Sequence, residues 1–128
     1  MGRIILLVTA LVFVILGAAF VMIPVRMADV IDLGVVAPSA VADVRAVYGG
    51  MNIGFGVFLT WCGLAIPRVN TGLLAALMVF VGLASGRMVG IIAEPSQPAI
   101  TFVLLATEIL GIVLVITGVI TGPERTKS

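Results

Sequence analysis

Three observations predict an all-α fold, an integral membrane four-helix bundle in up-down order. The chain is 62% hydrophobic and 10% charged, against about 25% charged in a soluble domain. Four apolar runs, about 4–23, 40–66, 71–92 and 99–120, are each long enough at about 1.5 Å per residue to cross a core of about 30 Å. The links joining the last three are turns, so those helices run antiparallel. No composition shift marks a second unit, and residues 1–128 read as a single transmembrane domain with a polar tail over 121–128.

The same composition removes several function classes. A net charge of +1 supplies no field for nucleic acid. Cys62 is the sole cysteine and there is no histidine. An intrachain disulfide, a CxxC redox pair, a bis-histidine haem and an ordinary zinc site are therefore excluded, and no cofactor is implied.

Helix one follows Arg3 and stays uncharged from Ile4 to Ile23. A cleaved signal peptide, with Gly17, Ala18 and Ala19 as the small residues, is the weaker reading. The apolar run exceeds the usual h-region of about 7–15 residues and continues through Phe20–Ile23. Pro24 to Pro38 is the longest connection. Pro24 suits a helix start and Gly34 a stop, and Arg26, Asp29 and Asp32 share one face at spacing three, with Met27, Val30, Ile31 and Leu33 mostly opposite. This pattern predicts a short interfacial helix lying apolar face down. An irregular loop with solvated charges competes with it on nearly even terms.

Helix two begins with Ser39 as N-cap and Asp43 in the first turn, where the helix dipole favours a negative charge, and Pro67 stops it. Asn70 is the N-cap of helix three, which carries Arg87 near its end. Glu94–Pro98 forms the next link, and helix four carries Glu108 near its middle. Arg3, Arg68, Arg125 and Lys127 fall on one side, Arg26 on the other, and Arg45 and Arg87 within helix ends. The positive-inside rule then places both termini in the cytoplasm.

This threading gathers the buried charge in the outer leaflet. Asp43 and Arg45 enter with helix two, Arg87 approaches the same side, Glu94 lies in the outer link and Glu108 sits about 15 Å below it. A charge at the bilayer centre costs about 2.5–3.5 kcal/mol on the lenient scale, so such groups face inward and pair. Arg87 with Glu108 is the pair the threading favours, with Arg45 near enough to compete and Asp43 or Glu94 balancing the remaining arginine. Arg45, Tyr48, Gly49, Asn52 and Gly56 form one stripe on helix two, with Asn52 deep enough to reach Glu108. Gly50 and Gly54, then Gly82, Gly86 and Gly90, recur at spacing four, which lets helices approach closely in lipid. Tyr48 and Trp61 suit interface aromatics, and Met78, Met88 and Cys62 suit filling.

Asp43-Val44-Arg45-Ala46-Val47-Tyr48-Gly49-Gly50, then Gly82-Leu83-Ala84-Ser85-Gly86-Arg87 and a lone Glu108 in the last helix, resemble a small bacterial family of four-helix membrane proteins, domain-of-unknown-function family 4345. The resemblance covers nearly the whole chain, and its first motif is the most specific. It implies a multi-pass protein of the bacterial inner membrane and carries no activity, substrate or cofactor.

Two readings of the polar cluster follow. In one, Asp43, Arg45, Tyr48, Asn52, Arg87, Glu94 and Glu108 are an internal network fixing helix register. The protein is then an accessory or scaffold, its partners being the bilayer and a membrane protein or second copy. In the other, the arginines hold a lipid-like or small anionic ligand while Glu108 exchanges a proton. Small multidrug exporters share the chain length and one membrane glutamate, but theirs lies in the first helix, and helix one here has no charge. An enzyme is the least supported class, because only Asp43, Glu94, Glu108 and Tyr48 could do proton or nucleophile chemistry.

Overall fold

The computed structural model describes residues 1–122; the rest of the polar tail, with Arg125 and Lys127, lies outside the described residues. Among these the chain is all-α. Helix α1 spans Gly2–Met22. Pro24 then opens a short helix, α2, over Pro24–Val30, its fixed φ suiting a first helical position. It ends before Gly34, and Asp32 adopts φ 57°, a left-handed conformation that a short polar side chain tolerates.

The next helix begins two residues earlier than a Ser39 cap requires. Ala37 is its N-cap and Pro38 its first residue, with no side-chain cap. Proline has no N–H to satisfy, so it takes the first turn and leaves Ser39 inside. Helix α3, Pro38–Asp43, continues without a break into a π-helical segment, Val44–Gly50, and then helix α4, Met51–Gly63. At the π segment's end the Met51 N–H donates to Ala46 O, the i→i+5 pattern that widens a turn. Helix α4 stops at Gly63, short of Pro67. After a 3-10 turn, Ile66–Arg68, helix α5 spans Val69–Ala93. Asn70 is accordingly inside the helix rather than its cap, because the turn opened by Pro67 feeds straight into it. Helix α6 spans Ala99–Ile120. Three helices, α1, the run Ile66–Ala93 and α6, are long and apolar enough to cross a membrane.

Helix α1 packs most extensively on the run from the π segment through α4, and α5 on α6. Glycine sets the first contact. A Cβ at Gly17 would fall 2.7 Å from Gly49 O and 2.8 Å from Ile53 N, and one at Gly56 would fall 2.8 Å from Ala10 O. Backbones this close admit no side chain, and the close approach adds van der Waals contact along the pair. Gly63 against Leu7 continues the contact in antiparallel sense. Gly2, Gly72, Gly111 and Gly118 serve the remaining contacts: Gly2 meets Gly118, Gly72 meets Cys62 and Leu6, and Gly111 meets the Phe80 ring. The core gathers Leu6, Ala10, Phe13, Leu59, Cys62, Leu73, Ala76 and Val115. Phe13 lies edge-on to Phe55 at 5.0 Å and near Phe80 at 5.8 Å, joining α1, α4 and α5.

Of the glycines read as packing positions, Gly49 is buried against α1. Gly54, Gly82, Gly86 and Gly90 have nothing within 4 Å of a built Cβ, and Gly50 has only Arg45 O at 3.8 Å. Spacing four permits close approach but does not say which face the neighbour occupies. Cys62 fills the core, whereas Met78 and Met88 are exposed.

Candidate functional site

Helices α5 and α6 are held in register by Phe80 against Gly111 and Leu73 against Gly118. Extending that register by two turns sets Arg87 level with Leu104, about one turn, ~5.4 Å, from Glu108. A helical side chain leans toward the N-terminus of its own helix. Arg87 therefore leans back along α5, which is toward Glu108 on the antiparallel neighbour.

The guanidinium reaches it by two nitrogens. Arg87 Nε donates to Glu108 Oε1 and Oε2, both at 3.0 Å, and Nη2 donates to Oε1 at 2.6 Å. The Glu108 side chain is 7% exposed and that of Arg87 25%. A buried carboxylate alone would cost several kcal/mol in lost solvation. The two-nitrogen contact offsets this and fixes the rotamers of both residues.

The rest of the polar set does not converge on this pair. Arg45 Nε donates to Val21 O at 3.2 Å, and Tyr48 stacks on Phe20 with ring centroids 5.3 Å apart. Gly49 and Gly56 also face α1. The stripe on helix two is therefore a surface turned to the first helix, not to the last. Asn52 does not reach Glu108, and its Nδ2 donates instead to Tyr48 O at 2.6 Å, a bond within its own helix that competes with any partner across the molecule. Asp43 and Glu94 are exposed, and Arg87–Glu108 is the one ion pair among the described residues. Neither carboxylate balances Arg45, which is served by the Val21 carbonyl.

The family model for a domain of unknown function, DUF4345, matches residues 1–119. The chain belongs to the DUF4345 family. That match takes in all three stretches named above, Asp43–Gly50, Gly82–Arg87 and Glu108. No curated protein and no solved structure matches the chain.

Two local arrangements escaped the sequence reading, both at the other end of the helices. Arg3 Nε donates to Gly63 O at 2.9 Å, satisfying one of the carbonyls that a helix C-terminus leaves open. The Arg68 guanidinium lies 3.9 Å over the Trp61 ring. A tryptophan in the last turn of one helix and an arginine in the turn that follows are the signal that could have found the second.

Proposed function

We propose that this chain is a multi-pass protein of the bacterial inner membrane. In this reading α1, the continuous run Pro38–Gly63, α5 and α6 make an up-down four-helix bundle with both termini in the cytoplasm. The protein serves as a non-catalytic accessory or scaffold. Large apolar side chains on the outside, among them Leu11, Ile15, Met78 and Leu110, favour a lipid surroundings, since in water each would leave apolar area exposed at about 25 cal/mol per Å². The run Pro38–Gly63 is itself long enough at about 1.5 Å per residue to cross a core of about 30 Å.

The observation that carries the accessory role is the closed ion pair. Glu108 is sealed onto Arg87, while Asp43, Arg45 and Glu94 stand apart from it, so the deepest charges satisfy each other. A reacting site needs several groups converging on one open position. A double-mutant cycle on melting in mild detergent tests this. Arg87→Gln and Glu108→Gln should each destabilise, and the double variant should lose less than the sum, with a coupling of about 0.5–3 kcal/mol. Additive losses would remove the clamp role. Native mass spectrometry of the gently extracted complex should then release a second protein or a second copy, with no small adduct that depends on Arg87 or Arg45.

A second reading, a binder or transporter of a lipid-like or small anionic ligand at Arg45, Arg87 and Glu108, draws on the 25% exposure of Arg87. It requires Glu108→Gln to abolish binding or flux while melting stays nearly unchanged.

A further inference from the structure

The geometry points to Arg68, at the same end of the helices as Arg3, as a recognition site for the phosphate of an anionic lipid headgroup. Three observations meet there. The Arg68 guanidinium lies over Trp61, its Cζ 3.9 Å from the ring centroid, a contact that holds the cation against the indole face. Its side chain makes no hydrogen bond or ion pair among the described residues, and its Nε is buried with no partner. Arg3, Arg45 and Arg87 each donate to an acceptor within the fold, so Arg68 is a held cation that the fold leaves uncompensated.

The second observation is charge placement. Asp29, Asp32, Asp43, Glu94 and Glu108 all belong to the opposite half of the helices or the links at that end, together with Arg26. Among the described residues, the end carrying Arg3 and Arg68 has no carboxylate; Glu124 lies outside them. A guanidinium's paired N–H groups match two phosphate oxygens, and an indole face holds the cation that carries them. The third is the rim. Trp61, Leu64 and Ile66 around Arg68 are all more than half exposed, offering apolar surface to acyl chains beneath the headgroup. This favours a lipid over a free phosphate, since a soluble anion gains nothing from that rim.

The inference rests on the membrane reading above. The full chain is extracted in mild detergent, supplied with dioleoyl phosphatidylglycerol or dioleoyl phosphatidylcholine, and weighed intact by native mass spectrometry. Wild type is expected to retain phosphatidylglycerol several-fold better than phosphatidylcholine. Retention should fall roughly fivefold in Arg68→Gln and about twofold in Arg68→Lys, which keeps the charge but loses the fork, and stay at wild type in Arg26→Gln. Equal retention by wild type and Arg68→Gln overturns the site, and so does equal retention of the two lipids. Displacement of the adduct by millimolar inorganic phosphate reassigns the site to a free anion and overturns the lipid. If Arg68→Gln does not fold, Arg68→Lys and Trp61→Leu decide: weakened retention in both supports the site, and wild-type retention in both overturns it. A chain left in the supernatant after ultracentrifugation fails the membrane reading, whereas an integrated chain without an Arg68-dependent adduct fails this inference alone.

Discussion

The two halves of α5 both carry glycine and have opposite surroundings. In the first, Val69, Gly72, Leu73 and Ala76 are buried, and Gly72 is close enough to α1 and α4 that a Cβ would meet Cys62 and Leu6, each at 2.7 Å. In the second, Gly82, Gly86 and Gly90 have empty space where a Cβ would go, and Met88 and Ile92 are exposed. Glycine in an apolar helix thus has no single meaning. Its effect depends on whether a neighbouring backbone lies across from it, and that is a property of the other helix.

The sharpest way to break this comparison is to add volume at a glycine that faces a neighbouring backbone and at one that does not. Gly17→Val places atoms against the Gly49 carbonyl and the Ile53 amide, which cannot move without separating α1 from its partner. Overpacking of this kind costs about 3 kcal/mol, at the upper end of its usual range, and melting in detergent should fall steeply. Gly86→Val, in open space, should shift melting by about 0.5 kcal/mol or less. Equal losses would mean that the second half of α5 is covered within the chain after all.

A smaller contrast comes from removing volume. Leu6 is 0% exposed and Leu83 45%. Leu6→Ala leaves a cavity and should cost about 2 kcal/mol or more. Leu83→Ala should be nearly silent in the isolated chain.

The smallest expected effect is also the one that sharpens the functional question. Gly82→Ala, Gly86→Ala and Gly90→Ala together should leave the melting of the isolated chain unchanged or raise it slightly, alanine being the better helix former. If that face meets a partner in the membrane, the same triple variant should release the partner in a pull-down from native membrane while the chain stays folded.

How far the sequence could be read follows the same division. Helix positions were legible because uncharged length and proline are local signals. The three helices long and apolar enough to cross a membrane come from runs that composition alone marks. Cap residues were not, because Pro38, one residue before Ser39, and Pro67, three before Asn70, each start the turn ahead of the polar residue that would otherwise cap. The neighbour of most helical faces was not legible either. The stripe Arg45, Tyr48, Gly49, Gly56 is a continuous surface, yet whether it meets α1 or α6 depends on how the helices are arranged around one another, and a period carries no such information. Asn52 illustrates the cost of guessing: depth along the helix suited Glu108, while the nearest acceptor was Tyr48 O, one turn away. The Phe13, Phe55 and Phe80 cluster was missed for a related reason. Phenylalanine is ordinary in an apolar run, and three of them become a cluster only when three helices are already in place.

The wide π turn at Val44–Gly50 has a consequence for how this chain can vary in length. A single deletion inside it would tighten the turn to α geometry and rotate Pro38–Asp43 by about 100° relative to α4. Arg45 or Tyr48 would then be carried off α1. A deletion in 31–37 would merely shorten a connection, whose closure cost changes slowly with length. Tolerance of single-residue gaps should therefore change abruptly between these two stretches, which only Pro38–Asp43 separates.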